Sequence, residues 1–424
     1  MIKLFDCNKK NYLNSLLIFL EKRRNVNFNN SKKVSKIIKD IKNQKYKALL
    51  KYEKKFSKNS KILPTKKDIN KAIKSLDPKV KRAIDFAYNR IKKFHLEQKK
   101  NLKNIVYIDK YKNKLESKIV PIKTLAVYVP GNLPSTLLMN ALPAKLINVP
   151  NIILATPSQD GKLNPAVMYA AKKIGIKKIF SMGGAQAIAS LAFIQKADKV
   201  IGPGNRFVAE AKRQLSGKII GTETMFAGPS EICVLADKST PIDQVITSLV
   251  SQAEHDPESQ CILVTKDKNM ITKVKTEIKK IAESIPRSKV AIKSLKKHSL
   301  IIHAKNDRQI IDSINLIAPE HLELNISNYK KYLNKIHNAG SICNGKYSPM
   351  SLSDYTVGTN HVLPTAGSAK FSSGLNINDF IKKISVVTLS KIGVEKIGNP
   401  AIKLSEFEKL FAHTLSIKSR IKRG

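Results

Sequence analysis

The sequence predicts an α/β protein of two Rossmann-like units, incomplete and with mostly parallel sheets, with a helical N-terminal region and a helical C-terminal arm. Three observations predict it. Short β-rich runs alternate with helical stretches from about Pro121 onward, glycine and proline mark where those runs end, and amphipathic spacing governs the first part of the chain and its tail. A chain of 424 residues, 42% hydrophobic and 26% charged, can fill two or three cores, which excludes intrinsic disorder.

In the N-terminal part, Val34, Ile37, Ile38 and Ile41 repeat at helical spacing between Ser31 and Phe56, as do Val80, Ile84, Ala87, Ile91 and Phe94 between Pro78 and Phe94. Thr65 with Asp68 reads as a capping box, and Asp77 before Pro78 as a cap followed by a first-turn proline. The first unit then alternates strands at Thr124 to Val129, Asn151 to Thr156, Lys177 to Met182 and Lys199 to Ile201 with helices at Ser135 to Ile147, Asn164 to Gly175, Gly184 to Ile194 and Asn205 to Leu215. Val129-Pro130-Gly131, Met182-Gly183-Gly184 and Gly202-Pro203-Gly204 sit at strand ends, and in an open parallel sheet ligands bind at the carboxyl ends. A second series starts at Ile232 to Ala236 and continues through a helix ending near His255, a strand at Cys261 to Thr265, a helix to about Ser284 and a strand at Leu300 to His303. Asn399 to Lys422 reads as a helical arm carrying Ile402, Phe407, Leu410, Phe411 and Ile417.

Seventy-seven basic residues against 32 acidic give a net charge of +45, a value that invites comparison with nucleic-acid binders. The distribution argues against a dedicated nucleic-acid partner. The excess is diffuse and mostly lysine, and no RNA-binding or zinc-finger pattern accompanies it, so it reads as solvated helix faces. Cysteines at 7, 233, 261 and 343 form no CxxC pair and imply a reducing compartment; Cys233 and Cys261 fall in strands, as buried small hydrophobes do. Leu16 to Leu20 is too short for a signal peptide or membrane span, so a cytoplasmic location and no membrane partner are expected.

Several residues carry chemistry. Gln252 and His255 lie three apart near a helix end and can leave one face together to meet a metal ion, although the pair alone is also what a helix surface offers. Glu320-His321 sets an acid beside an imidazole, a useful neighbour pair for moving protons near neutral pH or simply a polar start to a strand. Asp354 and His361 bracket a polar loop, and His413 sits in the last helix. The glycine turns give no complete dinucleotide fingerprint: Gly202-x-Gly204 lacks the third glycine.

Taken together, the words Gly183-Gly184-Ala185-Gln186-Ala187-Ile188-Ala189, Gly202-Pro203-Gly204-Asn205, Ala227-Gly228-Pro229-Ser230-Glu231, Ser251-Gln252-Ala253-Glu254-His255, Pro319-Glu320-His321-Leu322 and Gly358-Thr359-Asn360-His361-Val362-Leu363-Pro364-Thr365 resemble the histidinol dehydrogenase family, in that family's order across about residues 25 to 420. The resemblance implies a zinc-containing homodimer that oxidises L-histidinol to L-histidine in two NAD-dependent steps, the end of histidine biosynthesis. It implies Gln252, His255, Asp354 and His413 as zinc ligands, His321 as base and Glu320 as the activator of water. Ser230, His361 and Glu408 match substrate contacts, as the zinc ligands and His321 do, while Tyr128, Gln186 and Asn205 match NAD contacts. The C-terminal dimerisation arm is implied to complete the partner subunit's site; Glu408 and His413, about 140° apart on an ideal helix, owe their pairing to the resemblance alone.

The implied domains are an N-terminal helical segment 1–24, a first α/β domain of 25–127 with 230–375 holding the catalytic and zinc residues, a second α/β domain 128–229 on the NAD side, and the arm 376–424. Departures lie on the cofactor side. Asn132-Leu133-Pro134 replaces a second glycine and a longer loop after Gly131, and Thr224 and Phe226 stand where an Asp and a Pro are usual. Competing readings are a zinc hydrolase using Glu320 as base, which needs no nicotinamide, and a basic RNA-binding protein on a decayed enzyme scaffold.

Overall fold

The computed structural model describes residues 2–24, 31–158, 161–223 and 228–421. Thirteen strands are described there: β1 (Lys3–Asp6), β2 (Ile105–Ile108), β3 (Lys114–Pro121), β4 (Thr124–Tyr128), β5 (Asn151–Thr156), β6 (Lys178–Ser181), β7 (Lys199–Ile201), β8 (Glu231–Ala236), β9 (Gln260–Thr265), β10 (Leu300–His303), β11 (His321–Asn325), β12 (Ser341–Asn344) and β13 (Ile381–Thr388). The two alternating series become two parallel sheets. One has four strands in the order β6-β5-β4-β7, the other six in the order β1-β10-β9-β8-β11-β12. Counting from β4 in one and β8 in the other, both place their strands third, second, first, fourth, so the strand direction of the winding reverses between β4 and β7 and between β8 and β11.

Both faces of each sheet are covered, which is why the strands read as continuous apolar runs instead of alternating ones. Leu125, Val127 and Leu154 pack under the helices Pro78–Lys100 and Pro134–Leu146, while Ala126, Ile153 and Val200 pack under Ser31–Ser57 and Gly184–Phe193. In the larger sheet, Val234, Leu263 and Ile301 face the helix Ile242–Ala253; Leu235, Val264 and Ile302 face Leu16, Leu20 and Ile314. The local signals hold: Thr65 and Asp68 close a capping box, Asp77 caps the helix that Pro78 opens, and Asn164 and Gly175 bound the helix Pro165–Ile174. Cys233 and Cys261 are fully buried in β8 and β9.

The structure differs from the sequence reading in three places. Residues 3–6, expected within a helical segment, form β1, a parallel edge strand on β10. The helices between Ser31 and Lys100, expected with the unit that resumes at residue 230, cover the four-stranded sheet instead, because their apolar stripes face β4 and β5. An antiparallel sheet, β13-β3-β2, was not anticipated; its strands are short or largely exposed, so they lack the buried run that marks the others. The C-terminal segment is thus a strand followed by two helices, Lys391–Phe407 and Phe411–Ile421.

Gly202, just after β7, shows why glycine is required at one strand end. It adopts φ +112°, and a Cβ there would lie 2.0 Å from the carbonyl oxygen of Tyr128. Gly202→Ala should lower stability by about 2 kcal/mol or more by forcing β4 and β7 apart. Chemical denaturation checks this, and an unchanged unfolding midpoint would show that the turn relaxes freely.

Candidate active site

The helix Asp307–Ile317 ends at Ala318 in a left-handed cap (φ 49°), and Pro319 then prevents the helix from continuing. This abrupt stop delivers Glu320 and His321 directly to the start of β11, between β8 and β12. The Glu320 carboxylate turns toward β8, where Oε2 accepts the Glu231 backbone N–H at 2.8 Å and faces the Gln252 amide nitrogen at 3.5 Å. His321 Nε2 lies 3.9 Å from Glu320 Oε1 and 3.7 Å from Asp354 Oδ1, and its Nδ1 is buried without a partner.

The remaining groups arrive from neighbouring elements. Gln252, on the last turn of Ile242–Ala253, donates to the Glu231 carbonyl at 3.2 Å; this fixes the amide and leaves its Oε1 buried and unpartnered. Glu323 of β11 accepts the Met350 N–H at 2.6 Å, pinning the short helix Met350–Ser353 whose C-cap is Asp354. His361 Nδ1 meets the Asp354 carbonyl at 2.8 Å, which must be a donated hydrogen bond and so leaves Nε2 as the basic nitrogen. His255 stands close enough for its charge to bear on both His321 and His361.

Burial sets the protonation states. It pushes Glu320 well above the usual carboxylate range, with the Glu231 and Asp354 charges adding to the rise and the Glu231 N–H opposing it. Asp354 is pushed up to about 7 by burial. Burial likewise lowers His321 to about 3 and His361 to about 4, so both imidazoles are neutral proton acceptors near pH 7. A buried amide oxygen lacking a donor, beside a carboxylate and imidazoles, is a donor set that suits a borderline cation. Gln252, His255 and Asp354 therefore fit as ligands from this chain.

On the other sheet, Tyr128 ends β4 with its hydroxyl accepting the Gly184 N–H at 3.3 Å. Gln186 donates to Glu53 Oε1 at 2.9 Å, and the same oxygen accepts the Gly183 N–H. Asn205 caps the helix Arg206–Leu215 through the N–H groups of Phe207 and Val208. These three lie at carboxyl ends of strands, as expected. Glu320 and His321, with Glu231, instead lie at the amino ends of β11 and β8, as a polar start to a strand does, and the tight turn before β11 puts them there.

Ser230, immediately before β8, sits in the cluster's backbone, its carbonyl accepting Gln260 N–H. Glu408 and His413 are exposed on the arm, and among the described residues no group of three or more His, Cys, Asp or Glu side chains gathers as a metal site. Thr224, Phe226 and Ala227 lie outside the described residues. Sequence reasoning gave no role to Glu53, Glu231 or Glu323; Glu231 closes the quoted word Gly-Pro-Ser-Glu, whereas the other two carry no local signal.

The histidinol dehydrogenase family model matches residues 20–421. A histidinol dehydrogenase of Pelagibacter ubique is 51% identical over all of both chains, and one of Acinetobacter baylyi 38% identical over 92% of each. The crystal structure of histidinol dehydrogenase from Elizabethkingia anophelis superposes with a TM-score of 0.92 at 36% identity, covering 100% of this chain and 98% of that one. The chain belongs to the histidinol dehydrogenase family. It is accordingly an oxidoreductase. None of its described helices is long and apolar enough to cross a membrane.

In this histidinol dehydrogenase scaffold the loop 354–361 is held from behind. Arg90 donates to the carbonyls of Thr356 and Val357, and the Asn360 amide donates to the Met139 carbonyl at 2.7 Å beside the fully buried His95. Burial lowers His95 from 6.5 to about 4. The unfolded chain therefore takes up this proton first, and stability should fall as pH drops from about 6.5 toward 4, by on the order of 3 kcal/mol from this residue. His95→Gln should flatten that slope in urea titrations made between pH 7 and pH 4; an unaltered slope would assign the acid sensitivity to other groups.

Proposed function

We propose that the protein oxidises L-histidinol through L-histidinal to L-histidine with two NAD+ and one zinc ion per subunit, as a cytoplasmic homodimer. The observation that carries the reading is the juxtaposition, within 4 Å, of a neutral buried imidazole and a carboxyl group of raised pKa at the start of β11. When bound, zinc supplies a fixed positive template for the substrate's imidazole and amino groups, and NAD supplies the hydride acceptor. Gln252, His255 and Asp354 would hold the ion from one chain, with His413 from the second copy, while Tyr128, Gln186 and Asn205 would line the dinucleotide.

His321 takes the hydroxyl proton as hydride leaves the alcohol carbon, giving the aldehyde. An aldehyde carbonyl must gain water before it can yield a second hydride to reach the acid. Glu320 removes a proton from that water as it adds, and His321 then takes a hydroxyl proton from the hydrate as the second hydride departs. One alcohol and one water thus yield a carboxylate, two NADH and three protons. Ser230, His361 and Glu408 would orient the substrate around this pair.

The arm supports the dimer. Phe407 is 87% exposed and Leu404, Phe411 and Leu415 exceed 60%, an apolar surface on helices that pack chiefly on each other in the single chain. Against a zinc hydrolase or an RNA-binding protein on a decayed scaffold stand membership of an oxidoreductase family and the placement of Glu320 beside His321.

Purified protein loaded with zinc should form two NADH per histidinol consumed; one NADH with aldehyde accumulating would remove water activation from Glu320. His321→Asn should abolish turnover at unchanged zinc content, and metal loss would make His321 a ligand. Glu320→Gln and His413→Ala homodimers should each fail to form histidine, yet mixing and reassociating them should restore about a quarter of wild-type histidine formation, since half the dimers are hybrids with one intact site. No recovery would place His413 in its own subunit's site.

A further inference from the structure

Arg23 belongs to the run Lys22-Arg23-Arg24 at the end of the helix Tyr12–Arg24, where a charge run ordinarily lies in solvent. Its side chain is instead 5% exposed and drives into the amino edge of the six-stranded sheet. Nη1 pairs with Glu231 Oε1, Nε donates to the Glu258 carbonyl at 2.7 Å, and Nη2 donates to the Pro229 carbonyl at 2.6 Å and faces that of Ser230 at 3.5 Å. Glu231 Oε1 also accepts the Ala366 N–H at 2.9 Å. One guanidinium fork therefore fixes the backbone of residues 229–231 and the side chain of Glu231 at once, which a lysine's single point of charge cannot do.

That backbone is what holds Glu320. The Glu231 N–H donates to Glu320 Oε2, and the Glu231 carbonyl orients Gln252, whose amide nitrogen faces the same oxygen. We infer that Arg23 is a positioning residue for the oxidation of the aldehyde: through residues 229–231 it aims the Glu320 carboxylate at the water that adds to the carbonyl. The inference rests on the proposed role of Glu320. It also gives the N-terminal helix a part in the reaction, although Arg23 touches no reacting atom.

The test separates the two halves of the reaction. Zinc-loaded wild-type, Arg23→Met, Arg23→Lys and Glu320→Gln proteins are supplied with L-histidinol or L-histidinal, and NADH, free aldehyde and histidine are measured. Arg23→Met should slow aldehyde oxidation on the order of tenfold more than alcohol oxidation and release aldehyde into solution. Arg23→Lys should show the same imbalance more weakly, and it carries the test should Arg23→Met fold poorly. A merely structural role would reduce both halves in proportion, and that result in both arginine variants, with Glu320→Gln still unbalanced, overturns the inference. If Glu320→Gln itself slows both halves equally, the reading of Glu320 fails, and the inference falls with it.

Discussion

The site depends on keeping Glu320 buried beside His321. A carboxyl group removed from water demands hydrogen-bond donors, and here they are a backbone N–H from β8 and an amide from the adjoining helix. Two strands and a helix end must therefore keep register. The pairing of β11 with β8 along five residues provides that register, and the burial of both strands from end to end makes slippage unfavourable. The protonation states follow from the same burial: the environment that makes the acid harder to ionise makes the imidazole harder to charge, so neighbouring groups are tuned in opposite directions without a dedicated partner for each.

Much of this was legible in the sequence because the two parallel sheets are written in long buried runs with glycine, proline and asparagine at their ends. Asn151 to Thr156 and Lys199 to Ile201 coincide with β5 and β7 to the residue. What was not legible has a physical reason. Ile105–Ile108 is exposed on every residue, so neither alternation nor burial marks it as β2; it pairs with β3 at Lys114–Pro121, whose other neighbour, β13 at Ile381–Thr388, lies far along the chain. β1 escaped notice because four residues are too few to show a period.

Site residues divide along the same line. Glu320, His321, Gln252 and His255 announce themselves by adjacency or helical spacing. Glu53 and Arg23 do not, since each acts from a helix on groups more than a hundred positions further along the chain, and a lone charge in a lysine-rich chain resembles every other. Three-dimensional structure alone distinguishes a buried guanidinium from its solvated neighbours. The cation excess conceals this, because it is spread over helix faces, whereas the charges with defined jobs are the few removed from water.

The two sheets share a strand order yet present opposite edges, and helix direction turns this into chemistry. At the amino edge of the six-stranded sheet the helices Ile242–Ala253 and Asp307–Ile317 terminate, directing their carbonyl ends toward Gln252 and Glu320. Partial negative charge there favours a cation and disfavours a phosphate. At the carboxyl edge of the four-stranded sheet, the helices Pro134–Leu146, Gly184–Phe193 and Arg206–Leu215 begin, and their N–H ends favour anions. Glu53 and Asn205 already occupy two of those ends, leaving the helix after the shortened loop without a side-chain cap. These dipoles favour a cation at one edge and an anion at the other, and the same winding used twice offers both because the two sheets present opposite edges.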